Sequence, residues 1–199
     1  MARTKTIEDD LLLDRLTEVF QVYGYEGANL GRISRATGLQ RASLYHRFPG
    51  GKVAMAEAVL DRAAGQVVGE VVAPLRESGD ARERLAGMAK EIHRFYHGGQ
   101  RSCLLDSMSF GGAEESLKKR VEGAMLTWTD AIADLAEEIG LASTAARARA
   151  VDAMIRIQGS LVFSRATGET EPFQRTLASL PALVVDGEPL DSSASETSS

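Results

Sequence analysis

Residues 29 to 48 read NLGRISRATGLQRASLYHRF. Asn29 is of the type that caps a helix, its side-chain oxygen serving the unpaired N–H groups of the first turn. A short helix follows through Thr37, with Leu30 and Ile33 on its inner face. Gly38 supplies the tight turn that lets a second short helix, Gln40 to Phe48, cross the first steeply. Leu44 and Phe48 lie four apart and hold the second helix there, and Ser34 is small enough for the crossing. Two short helices joined by a glycine in this way form a helix-turn-helix. Upstream, Leu12, Leu13, Leu16, Val19, Phe20 and Tyr23 recur at three- and four-residue spacing, which predicts an amphipathic helix over 7–23 ended by Gly24.

Charge points the same way once it is divided along the chain. The 199 residues hold 23 Lys and Arg against 28 Asp and Glu, a net of −5, a sign that by itself weighs against a nucleic-acid partner. Residues 1 to 52, however, carry eight basic and six acidic side chains, net +2, which leaves −7 for the rest. From Ala28 to Lys52 there are five cations (Arg32, Arg35, Arg41, Arg47, Lys52) and no acid, so this stretch is either a solvated surface or an electropositive binding face. With 44% apolar residues the chain can close a core without metal or disulfide, and the single Cys103 cannot pair internally. No run reaches the ~18 apolar residues of a membrane span, and the start lacks a signal-peptide pattern, so a cytoplasmic protein with no membrane partner is expected.

The set Phe20, Gly24-Tyr25-Glu26, Ile33, Gly38-Leu39, Ser43-Leu44-Tyr45-His46-Arg47-Phe48 and Lys52, followed by a helix, resembles the TetR family of transcriptional regulators across the whole DNA-binding domain. The resemblance implies a homodimeric regulator on a palindromic double-stranded DNA operator, released by a small hydrophobic or drug-like effector. It implies that the second short helix enters the major groove, with Gln40, Arg41 and Ser43 at the groove-facing positions. Arg41 suits guanine and Gln40 suits adenine. Tyr45, with His46 beside it, matches the family's phosphate contact, as does Lys52, and Asn29 stands at the entry to the first short helix. Arg3 and Lys5 are either an arm to the minor groove or an unstructured start. Two departures stand out. Ala28 replaces the family's common Thr, so Asn29 alone must cap, and the Pro49-Gly50-Gly51 connection is expected to be flexible.

Beyond Lys52 the periodicity predicts helices over 52–72 (ended by Pro74), 81–96, 100–110, 114–139, 144–167 and 171–184, the last broken by Pro181. Nothing alternates as a strand does. The expected fold is all-α: a three-helix DNA-binding domain over 1–50, a larger helical ligand-binding and dimerisation domain over 51–185, and an acidic, Ser-rich, disordered tail over 186–199. Ser102-Cys103-Leu104-Leu105 resembles the Gly-Cys-Leu-Leu segment of a TetR subfamily that includes drug-responsive repressors, with Ser102 in the glycine's place. Gln158-Gly159-Ser160-Leu161 and Arg165 resemble that group's penultimate helix, where Gly159 and Ser160 allow close approach either across a dimer or within one subunit.

Phe95, Tyr96, Cys103, Met108, Phe110, Met125, Trp128, Met154 and Phe163 are the candidates to line an effector pocket, since Met and aromatic side chains suit adaptable apolar sites. Residues of this kind at helical spacing also make ordinary core, and both readings stand. Arg156 is either an anchor for an anionic group or an exposed or interface arginine. Cys103 lacks the adjacent base that a sensor thiol needs. His93 and His97 are four apart but want a third ligand, so no metal or cofactor is expected. His97-Gly98-Gly99 has no Gly-x-Ser-x-Gly beside it, and no Rossmann or P-loop pattern occurs, so an enzyme is not expected. The alternatives are a ligand-independent activator or architectural DNA-binding protein, and a helical small-molecule binder or enzyme.

Overall fold

The computed structural model describes residues 7–109 and 114–187. Arg3, Lys5, Phe110 and the stretch from Glu188 onward lie outside the described residues. The architecture is all-helical, and among the described residues no strand occurs. Among the described residues nine α-helices follow one another: α1 (Asp9–Gly27), α2 (Leu30–Thr37), α3 (Arg41–Arg47), α4 (Gly51–Gln66), α5 (Ala81–Phe95), α6 (Leu104–Ser109), α7 (Glu115–Glu138), α8 (Ser143–Thr167) and α9 (Glu171–Pro181). A π-helical turn over Val67–Val71 and a 3-10 turn over Ala73–Arg76 lie between α4 and α5.

The residues fall into two compact units. One draws on Met1–Gln66 and Ser102–Met125, the other on Val67–Arg101 and Leu126–Ser199. In the first unit Leu12, Leu16, Val19 and Phe20 of α1 bury their side chains, α4 packs on α1 through a face of Met55, Ala56, Val59 and Leu60, and α6 packs on α1 as well. Arg120 of α7 pairs with Asp61 of α4 at 2.9 Å. In the second unit α9 packs on both α5 and α8. Its core holds Met88, Ile92 and Tyr96, with Phe173 edge-on to the Tyr96 ring at 6.3 Å between centres. Gly99 makes that possible: it sits at φ +98°, and a Cβ there would come within 2.9 Å of the Phe173 ring.

Some boundaries differ from those that periodicity predicts. The helical hydrogen bonding of α1 runs to Gly27, but Gly24 breaks the helix at φ +62°, ψ −178°, so the amphipathic part does end there. The helix expected from Gln100 begins only at Leu104, because Gly98 and Gly99 both take positive φ and the Arg101 N–H returns to Tyr96 O at 3.0 Å. Pro181 ends α9, and a π turn over Ala182–Asp186 continues the chain.

Candidate nucleic-acid interface

The helix-turn-helix forms where its turn residues place it. Asn29 Oδ1 accepts from the Arg32 N–H at 3.0 Å, so this one side chain caps α2 although Ala28 precedes it. Gly38 closes α2 in the left-handed region at φ +70°, its N–H returning to Ser34 O at 2.9 Å. Thr37 braces the turn, donating its hydroxyl to Ile33 O and accepting the Leu39 N–H. Ile33, Leu39 and Leu44 are buried beneath. The burial of Leu44 fixes which way α3 faces, and Gln40, Arg41, Tyr45 and His46 are consequently exposed, with Ser43 half-buried. Gln40 is the N-cap of α3 without a capping side-chain bond, so its amide is uncommitted.

The five cations of Ala28–Lys52 are not equivalent. Arg32 donates to Gly27 O and lies 4.2 Å from the centre of the Tyr23 ring. Arg47 pairs with Asp9 at 2.6 Å and donates to Ile7 O at 2.7 Å, tying α3 to the start of α1. Lys52 donates to Tyr25 O at 3.0 Å with its ammonium 4.0 Å from the centre of the Tyr25 ring. Arg35 and Arg41 are exposed and, among the described residues, have no partner. Adding up the charge of this stretch gives +5, of which only Arg47 is paired with a carboxylate; Arg32 and Lys52 are held by neutral carbonyls and keep their charge. Arg35 is absent from the contact residues that the resemblance implies, and its helical position opposite Ile33 is what leaves it exposed.

The connection from α3 to α4 is built rather than loose. Gly51 takes φ +65°, is buried, and donates its N–H to Phe48 O at 2.8 Å. A Cβ on Gly51 would stand 3.2 Å from Tyr45 Cε1, so the Tyr45 ring lies against bare backbone at the head of α4. Burial raises the pKa of Tyr25, with the Glu114 and Glu26 carboxylates adding to it, so its ring under Lys52 stays a neutral phenol.

The effector candidates are placed unevenly. Cys103 and Met108 are buried in the first unit and Met125 is half-buried there. In the second unit Tyr96, Trp128 and Met154 are buried and Phe95 is half-buried, whereas Phe163 is 48% exposed. Phe110 is outside the described residues. Buried polar atoms of the second unit that no protein atom satisfies include Trp128 Nε1, both amide atoms of Gln158, and Arg156 Nη1. An open groove of 380 Å³ between α5 and α9, lined by Ala89, His93, Leu177 and Pro181 among others, includes none of the nine candidates. His93 and His97 are exposed, and among the described residues no group of three His, Cys, Asp or Glu is placed to hold a metal. No described helix is long and apolar enough to cross a membrane.

Residues 12–59 match the family described as bacterial regulatory proteins of the tetR family, and residues 81–179 match the C-terminal domain described as transcriptional regulator LmrA/YxaF-like. The chain belongs to the TetR family of transcriptional regulators. Among curated relatives of this TetR regulator is the HTH-type transcriptional regulator LmrA of Bacillus subtilis (strain 168), 23% identical over 182 residues, covering 87% of this chain and 94% of LmrA. Solved structures with the same fold include a TetR regulator from Legionella pneumophila (TM-score 0.77, 16% identity, 92% and 97% coverage). Another is a cysteine mutant of the TetR family regulator CifR complexed with 26 bp double-strand operator DNA (TM-score 0.73, 22% identity, 90% and 98% coverage). The match of the C-terminal family agrees with the resemblance of the Cys103-Leu104-Leu105 and Gln158–Leu161 segments to one branch of TetR regulators.

Within the first unit of this TetR regulator, α6 is joined to α1 by a reciprocal pair of bonds. Gln21 Nε2 donates to Ser102 O at 2.9 Å, and Ser107 Oγ donates to Gln21 O at 3.1 Å. Gly24 adds a close approach, since a Cβ there would meet Ser107 O at 3.0 Å. Nothing in the sequence signals this junction, because neither Gln21 nor Ser107 belongs to a recognisable motif.

Proposed function

We propose that the protein is a homodimeric repressor that binds a palindromic operator through α3 and is released by a small hydrophobic effector. The observation that carries the reading is Arg41, an unpartnered, exposed cation in the first turn of α3, on a helix whose orientation is fixed by buried Leu44. In this reading Arg41 and Gln40 address base edges, one suited to guanine and the other to adenine. Ser43, Tyr45, His46, Asn29 and Lys52 position the domain on the phosphates, and Arg35 adds to the field that attracts the duplex. Lys52 has donors to spare beyond its bond to Tyr25 O, so a phosphate would meet an ammonium already held in place.

Dimerisation is supported by the outer side of α8. Val151, Ile155 and Val162 are 37%, 63% and 48% exposed, and Gly159 between them has no atom within 4 Å of the place of a Cβ. An apolar helix face with a glycine at its middle suits close packing against a second copy. Two operator half-sites then require two recognition helices about 34 Å apart. An effector that prefers a conformation with another spacing weakens DNA binding by the ratio of its affinities for the two states. Buried Trp128 and half-buried Gln158, whose enclosed indole N–H and amide atoms have unmet hydrogen-bonding capacity, are the polar groups best suited to orient the effector.

The test is binding of purified protein to DNA upstream of its own gene and its neighbours, by fluorescence anisotropy. Tight, salt-sensitive binding to a palindrome is expected. Absence of any binding there would sink the reading.

A further inference from the structure

The helix that begins at Gly51 changes register near its end. It is α-helical to Gln66, then π-helical over Val67–Val71, closed by the Val72 N–H on Val67 O at 2.9 Å. The change falls at the border of the two compact units, between Gln66 and Val67. The wide turn has a packing cause. Val67, Val71 and Val72 are all buried, whereas in an α-helix Val72 would stand about 140° round the axis from Val67. One extra residue in the turn brings Val72 round to the side of Val67, and Glu70 pairs with Arg94 at 3.0 Å beside them.

Two glycines flank and enter this turn without any structural need. Gly65 and Gly69 are exposed, neither takes a positive φ, and no atom lies within 4 Å of where a Cβ would stand on either. Alanine would fit at both sites and would favour the helix, because glycine gives up more backbone freedom on ordering. What the glycines do provide is a low cost for passing between registers. Pro74, which has no N–H and disfavours an α conformation before it, confines any such change to the residues ahead of it.

We propose that Gly65–Val72 is a register switch, π-helical in the state described here and α-helical in another, in which the Val72 N–H passes from Val67 O to Val68 O. The coupling of this switch to operator binding rests on the regulator reading; the existence of two registers does not. Hydrogen–deuterium exchange on the full chain tests it. Amides 67–72 should exchange at least ten-fold faster than amides 55–62 of the same helix. Gly65→Ala with Gly69→Ala should slow them at least ten-fold and raise Tm by about 2–4 °C. Addition of a duplex carrying the bound palindrome should change their exchange at least five-fold.

Equal exchange of 67–72 and 55–62 in the unaltered protein overturns the switch without any variant having to fold. So does a double variant with unchanged exchange or a lowered Tm, the result expected if the glycines instead make room for a second chain. Change below two-fold on a bound duplex overturns the coupling. Failure to bind any duplex counts against the regulator reading and leaves the comparison of amides to decide the switch.

Discussion

The ammonium of Lys52 donates to Tyr25 O at 3.0 Å and stands 4.0 Å from the centre of the same residue's ring, which in turn stacks on Phe20 at 6.5 Å. One cation thus fastens the head of α4 to the last turn of α1, beyond the break at Gly24. Lys52→Ala should therefore lower stability by about 1–2 kcal/mol in urea unfolding as well as weaken operator binding at every sequence. Tyr45→Phe should weaken binding with little loss of stability. If Lys52→Ala left stability untouched, the clasp to Tyr25 would have no energetic content.

Arg41 and Arg35 should separate under mutation. Arg41→Ala is expected to cost about 1–3 kcal/mol against one base pair and so to change which operator is preferred. Arg35→Ala should weaken all sequences alike and make the dependence of log K on log[salt] shallower. Binding measured at several salt concentrations on operators altered one base pair at a time checks both. A uniform loss for Arg41→Ala would remove it from base reading.

Gly51 is held at φ +65° with the Tyr45 ring 3.2 Å from the place of a Cβ. Gly51→Ala should destabilise by about 1–2 kcal/mol, because an L side chain in that region strains the backbone and the ring has to shift. The expected sign is opposite to that of a glycine in a loose linker, where alanine stabilises through the unfolded chain. Denaturant unfolding of the single variant decides between them.

Ile155 is the most exposed apolar residue on the outer side of α8. Ile155→Asp should yield a folded monomer by light scattering, with operator affinity reduced about 100-fold or more as the two half-sites lose their linkage. A variant that stayed dimeric would place the interface elsewhere.

Glu138 accepts hydrogen bonds from Arg84 at 2.7 and 3.0 Å, and this contact holds its carboxyl below the ordinary value of 4.5. The unfolded chain takes up the proton first as pH falls. The pair's contribution is thus complete above about 4.5 and is lost as pH drops through the lowered folded value. Glu138→Gln should flatten the part of the stability profile that lies below about pH 4.5, as measured by Tm. At 58% side-chain exposure the effect should be small and should fade in high salt.

The helix-turn-helix was legible because everything that makes it is local. Asn29 caps α2 three residues on, Gly38 turns the chain where only a left-handed residue fits, and Ile33 and Leu44 alternate with exposed neighbours at helical spacing. The same locality made the all-helical architecture readable, and the succession of Tyr45, His46, Phe48 and Lys52 carried the likeness to TetR regulators. The Pro49-Gly50-Gly51 connection misled in one respect. Two adjacent glycines suggest flexibility, and nothing in the local pattern reveals that the Tyr45 ring leans on Gly51.

Tertiary structure alone decided which side chains remain free to act. Arg47 is neutralised by Asp9, 38 residues away, Lys52 is engaged by Tyr25, 27 away, and Gln21 bonds to Ser102, 81 away. A charge counted along the chain has no partner yet, since its partner is chosen by packing between distant helices. Sequence by itself therefore determined that a basic second helix of the helix-turn-helix exists and, to within a residue, where it begins and ends. Only the fold determined that Arg47 is paired with a carboxylate while Arg35 and Arg41 stay exposed, that Phe163 faces outward, and that α6 is bonded to α1.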